Sequence, residues 1–123
     1  MYFVYVLRCV DSSLYCGYTT DVDHRINAHT GKVKGGAKYT RSRPPVRVEA
    51  VWSCRDKASA LGLEKLFKNL SKRDKEVLVS HEASLSDLFG DKLDDAAIVR
   101  DTSLERDIAE AVDGNMEPVA RLP

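Results

Sequence analysis

Hydrophobic positions in this chain fall into three short strand-like runs and several helical stripes, separated by one polar, glycine-rich stretch. Residues 2–9 (YFVYVLRC) and 14–19 (LYCGYT) are rich in β-branched and aromatic side chains, and VDSS between them has Asp/Ser turn chemistry. Together they predict a β-hairpin. In TDVDHRINAHTG, Val22 and Ile26 stand four apart, Thr20 and Asp23 have capping-box spacing and Gly31 marks a stop. That predicts a helix over 21–30. GKVKGGAKYTRSRPP reads as a loop, and Val46, Val48, Ala50 and Trp52 alternate with more polar neighbours as a third strand. Asp56 suits the cap of a helix over 57–70, and Ser71 with Asp74 the cap of another through about 79. SLSDLFGDKL and TSLERDIAEAV carry weaker helical patterns, and the Gly- and Pro-marked end is expected to fray. The predicted order is β-β-α-β-α-α, a small α/β (α+β) fold with a three-stranded antiparallel sheet and a helical C-terminal extension.

With 123 residues, 43% hydrophobic and 31% charged, the chain has the composition of one soluble globular domain. No apolar run approaches the roughly 20 residues of a membrane span, and no leader pattern opens the chain, so a cytoplasmic location is expected. Cys9, Cys16 and Cys54 are odd in number and lack metal-ligand spacing, which argues against a disulfide framework and a zinc site.

Charge changes the picture. Residues 1–82 hold 15 Lys and Arg against 9 Asp and Glu, while residues 83–123 hold 4 against 10. A basic body (1–82) therefore carries an acidic extension (83–123), and the body by itself would attract a polyanion. The extension could dock a protein partner or fold over the body and compete with nucleic acid.

Three features stand out in the body. Arg25 and His29 are four apart beside the apolar stripe of the first helix, either solvated or positioned to meet a phosphate. Glu64 lies on or beside the stripe formed by Ala60, Leu63, Phe67 and Leu70, where a carboxylate calls for a lysine, an arginine or a hard cation. The polar stretch carries Lys32, Lys34, Lys38, Arg41 and Arg43 with Tyr39 among them, compatible with a solvated loop or with a grip on a nucleic-acid strand.

Tyr5 in FVY, Tyr15 and Gly17 in YCG, Arg25 and His29 in DHRINAH, and Glu64 in LGLEKLFK come in order and spacing that resemble the GIY-YIG nuclease family. The likeness is to its small standalone bacterial branch and spans roughly residues 1–80, including GAKYTR and LSKRDKEVLV. Phe3-Val4-Tyr5 stands where the family has Gly-Ile-Tyr, and Tyr15-Cys16-Gly17 where it has Tyr-Ile-Gly; both tyrosines are kept.

The resemblance implies an endonuclease that hydrolyses phosphodiester bonds with a divalent metal, Mg²⁺ ahead of Mn²⁺, in work of the DNA repair or recombination kind. It implies that Tyr5, Tyr15, Arg25, His29 and Glu64 form the catalytic site: Glu64 on the metal, Arg25 on the phosphate, Tyr5 or His29 as base, and Gly17 as a structural position. Lys32, Lys34, Lys38, Tyr39, Arg41 and Arg43 would bind nucleic acid, DNA ahead of RNA, with single-stranded or branched forms favoured. The alternative is a catalytically silent nucleic-acid-binding or protein-interaction module on the same surface. Oligomeric state is left open.

Overall fold

The computed structural model describes residues 1–32 and 34–108. The hairpin forms as expected: β1 (Tyr2–Cys9) pairs antiparallel with β2 (Leu14–Thr19), and Ser12 takes a positive φ of 71° in the turn. β1 also pairs antiparallel with β3 (Pro45–Cys54), which makes it a central strand paired on both edges. That position suits YFVYVLRC, whose residues 4–7 are all buried.

Between the hairpin and β3 come α1 (Val22–His29) and a short helix, α2 (Lys38–Ser42), inside the stretch expected to be loop. Asp21 caps α1, where the sequence suggested Thr20. The Asp21 carboxylate accepts from the His24 N–H at 3.1 Å, and its charge suits the positive end of the helix better than a threonine hydroxyl does. Beyond β3 lie α3 (Lys57–Lys68), capped by Asp56, and α4 (Lys72–Val79), capped by Ser71, both as expected.

The sheet separates two cores. Val4, Val6, Cys16, Ala50 and Trp52 pack against Leu63 and Phe67 of α3 and Leu78 of α4. Tyr5, Leu7, Val48 and Val51 face the other way, onto Val22 and Ile26 of α1. The sequence put Val48 on one face with Ala50 and Trp52. The register instead shifts so that Val6 opposes Ala50 and Leu7 opposes Val48, leaving Glu49 as the extra residue of a bulge. One inserted residue reverses the facing of everything before it, so Val48 joins the core under α1.

Residues beyond 82 enlarge the three-stranded sheet. After α5 (Leu85–Phe89), β4 (Ile98–Arg100) and β5 (Arg106–Asp107) both pair with β3, at Trp52–Arg100 and Arg47–Asp107, giving five strands among the described residues. The helical pattern read over 102–112 is a 3₁₀ turn at Thr102–Leu104 followed by β5, and its remainder from 109 lies outside the described residues. The open edge of β3 supplies the reason, since unpaired strand groups favour a ladder partner over a marginal helix. Phe89, Ala97 and Ile98 are buried in one core and Ile108 in the other. Arg100 fastens the segment, donating to the Val79 carbonyl at 2.9 Å while paired with Glu105. Among the described residues no helix is long and apolar enough to cross a membrane, and all three cysteines are free and buried.

Candidate active site

The site forms where α1 crosses the hairpin. Tyr5 and Gly17 are paired residues of β1 and β2, so both face α1. The Tyr5 ring lies flat over Gly17: a Cβ there would stand 2.5 Å from the hydroxyl and 2.8 Å from the carbon bearing it. No side chain larger than hydrogen leaves the ring in place.

α1 brings two groups to that hydroxyl. The His29 Nε2 lies 2.7 Å from the Tyr5 oxygen, and the Arg25 Nε donates to the same oxygen at 3.2 Å. His29 is only 4% exposed. It follows Val22 and Ile26 at i+7 and i+3, so it belongs to their buried stripe rather than to the neighbouring strip with Arg25. That spacing is legible in the sequence.

Thr40 of α2, which the sequence reading did not single out, fixes the direction of the hydrogen bonds. Its hydroxyl donates to the Ala37 carbonyl at 3.0 Å and lies 2.9 Å from the His29 Nδ1. A carbonyl can only accept, so the one hydroxyl proton is spent there, and Nδ1 must donate to Thr40. The imidazole therefore carries its proton on Nδ1 and offers a lone pair at Nε2, which accepts from Tyr5. The chain runs one way, from Arg25 to Tyr5 to His29 to Thr40.

Burial and charge set the titration of this group. Burial, with the Arg25 guanidinium second, lowers the His29 pKa from 6.5 to about 4, so the imidazole is neutral at pH 7. Burial also raises the Tyr5 phenol well above its ordinary value, although the hydrogen bond and charge of Arg25 oppose it. Tyr5 does not ionise unaided at neutral pH.

The surrounding loop is built to hold Arg25. Its Nη1 donates to the Gly35 carbonyl at 2.6 Å, and Gly35 has a φ of 105°, open to glycine at little cost. Gly36 lies against the end of α1, where a Cβ would stand 2.5 Å from the Ala28 carbonyl oxygen. Tyr15 packs edge-on to His29, with ring centres 5.1 Å apart, and Tyr39 lies 5.6 Å beyond Tyr15. The Tyr39 hydroxyl donates to Ser13 at 2.6 Å and Arg43 covers its ring at 4.3 Å, so it walls the site rather than offering two open faces to a base. Arg43 also pairs with Asp11, whereas Lys32, Lys34, Lys38 and Arg41 are exposed.

Tyr5, Tyr15, Arg25 and His29 thus come together on the α1 face. Glu64 sits on α3, which packs on the opposite face beside the edge strand β2; its charge helps to push up the Cys16 thiol, after the larger effect of burial. The Glu64 carboxylate is 18% exposed and takes Lys68 of the next helical turn at 3.2 Å. Among the described residues no three His, Cys, Asp or Glu side chains cluster as a metal cage.

A model of the GIY-YIG catalytic domain matches residues 1–77. The chain is similar to the UPF0213 protein BH0048 of Halalkalibacterium halodurans, 52% identical over 80 residues that make up 64% of this chain and 82% of that protein. It is also similar to the UPF0213 protein DP2720 of Desulfotalea psychrophila, 44% identical over 63% of this chain and 70% of the other. A solution NMR structure of the UPF0213 protein BH0048 from Bacillus halodurans aligns with 71% of this chain and 92% of its own, at 48% identity and a TM-score of 0.45.

Proposed function

The chain belongs to the GIY-YIG family, and on that premise we propose that it is an endonuclease hydrolysing phosphodiester bonds in nucleic acid, DNA ahead of RNA. The observation that carries this reading is the one-way hydrogen-bond chain through Tyr5 and His29. As a water attacks phosphorus, its proton passes to the Tyr5 oxygen while the phenol proton passes to His29 Nε2. A raised phenol pKa forbids Tyr5 from acting alone, and a neutral imidazole with a free Nε2 lone pair removes the obstacle. Tyr5 is then the relay and His29 the base. The imidazolium so formed passes its proton back through Tyr5 to solvent, and the leaving oxygen takes its proton from water.

Arg25 holds the tyrosine oxygen with Nε and the Gly35 carbonyl with Nη1, leaving its other N–H donors for a phosphoryl oxygen, where a fixed planar cation stabilises the gathering charge. Tyr15 positions the imidazole and lines the approach to it.

Glu64 would hold the divalent metal. One largely buried carboxylate with a single exposed lysine partner would suit a hard cation rather than a caged transition metal. When bound, such an ion neutralises charge on the phosphoryl and leaving oxygens. Mg²⁺ suits that donor set, with Mn²⁺ second.

The test is cleavage of end-labelled single-stranded, duplex and branched DNA and of RNA, with Mg²⁺ or EDTA, by the wild type, Glu64→Ala and Arg25→Ala. Metal-dependent cutting by the wild type, lost in both folded variants, is the expected result. Binding without cutting that neither substitution alters would make the protein a silent binding module.

A further inference from the structure

LSKRDKEVLV belongs to the family likeness, yet α4, which it forms, takes no part in the chemistry above. The first turn of α4 carries Lys72, Arg73 and Lys75. A cleft of about 250 Å³ lies between this turn and the β1–β2 turn, lined by Ser13, Leu14, Tyr39, Lys72, Lys75 and Glu76. The one acidic group in it is already engaged: Glu76 takes both ends of the Arg8 fork at 2.6 Å. Lys72 acts on Glu76 electrostatically, but among the described residues neither lysine forms an ion pair.

The cleft is continuous with the site. Tyr39, which forms part of its wall, packs on Tyr15, and Tyr15 packs on His29. On the opposite face of β2, Lys75 and Lys68 act electrostatically on the Cys16 thiol together with Glu64, so α4 flanks the same strand edge as the metal-holding carboxylate. β2 is the terminal strand of the sheet order, and its outer edge separates the Arg25–His29 group from Glu64.

From this we infer that the α4 cleft is a second phosphate-binding subsite, in which Lys72 and Lys75 hold the backbone of the nucleic-acid strand adjacent to the scissile phosphate as the strand crosses the β2 edge. The inference rests on the nuclease reading and adds to it a direction for the substrate: out of the Tyr5–His29 centre, past Tyr15 and Tyr39, and onto α4. Lys34 and Arg41 of the 32–43 stretch line a separate cavity that includes His29, so a bound strand is gripped on both flanks. Substrates too short to span both should lose affinity.

The measurement is anisotropy of a labelled single-stranded oligonucleotide titrated with the full chain in EDTA, at several salt concentrations. The wild type is compared with Lys72→Gln/Lys75→Gln and with Lys92→Gln, an exposed control in the turn that follows α5. Loss of two phosphate contacts should flatten the log–log salt slope by about 1.4 and weaken binding about tenfold near 0.15 M salt, with no change in the control. An unchanged slope and affinity in a wild type that binds and cuts would overturn this subsite and leave the nuclease reading intact. Tighter binding by the double variant would also overturn it, because the lysines would then be engaged by the chain's own acidic segment. A wild type that neither binds nor cuts any nucleic acid would overturn both.

Discussion

The Tyr5 hydroxyl stands 2.5 Å from the point that a Cβ on Gly17 would occupy. Two residues on neighbouring strands thus share one volume, and the tyrosine reaches His29 only because its strand partner has no side chain. Gly17→Ala should push the ring off Nε2. Cleavage should fall by about 100-fold or more, the scale of general-base catalysis, with a stability loss of about 1–3 kcal/mol from overpacking. Steady-state kinetics beside urea denaturation separates the two, and a variant with wild-type kcat would show that the Tyr5–His29 contact is dispensable.

Thr40 acts through His29. Thr40→Val keeps the shape but leaves the Nδ1–H facing a methyl group, at a cost of about 1–3 kcal/mol, and frees the imidazole to move its proton to Nε2. Thr40→Ser restores the acceptor. In ¹⁵N spectra of the wild type the Nδ1 of His29 should be the protonated nitrogen; the valine variant should lose that preference together with most of its kcat, and serine should regain both. A wild type protonated at Nε2 would reverse the proposed flow of protons.

The lowered pKa of His29 has a defined sign. Tyr5 from β1, Tyr15 from β2, Thr40 from α2 and Arg25 on its own helix face the ring, and no carboxylate stands among them. The unfolded chain takes up a proton near pH 6.5, whereas the native imidazole refuses it until about pH 4. Stability from the neutral ring is complete above pH 6.5 and is lost as pH falls toward 4, in total roughly 3 kcal/mol. His29→Asn should remove that slope from urea midpoints. The acid limb of cleavage should fall near pH 4; a limb at 6.5 would mean a solvated histidine.

Arg100 carries the C-terminal segment. Arg100→Met leaves the Glu105 carboxylate half-buried without its partner and the Val79 carbonyl without a donor, and should cost about 3 kcal/mol in urea. Deleting 83–123, a natural test of whether the acidic extension shields the basic body, should instead expose the cores that Phe89, Ile98 and Ile108 complete. Circular dichroism of the truncated chain decides this, and a fully folded product would count against it.

The sequence by itself determined the elements whose signals are local. The hairpin, the Asp56 and Ser71 caps and the third strand follow from side-chain period, turn chemistry and capping, all of which act within a few residues. The family resemblance grouped Tyr5, Tyr15, Arg25 and His29 with Glu64; the structure brings the first four together and leaves Glu64 on α3, across the sheet. Only the tertiary structure decided which way Val48 faces, because the bulge at Glu49 depends on the register of β1 against β3, and register is a property of two strands. Only it revealed Thr40 as the partner of His29, since the two are eleven positions apart on different helices. The fate of residues 102–107 was decided in the same way. Their sequence carries a weak helical pattern, but the unpaired edge of β3 offers hydrogen bonds that a short isolated helix cannot match, and a long-range ladder overrides a marginal local preference.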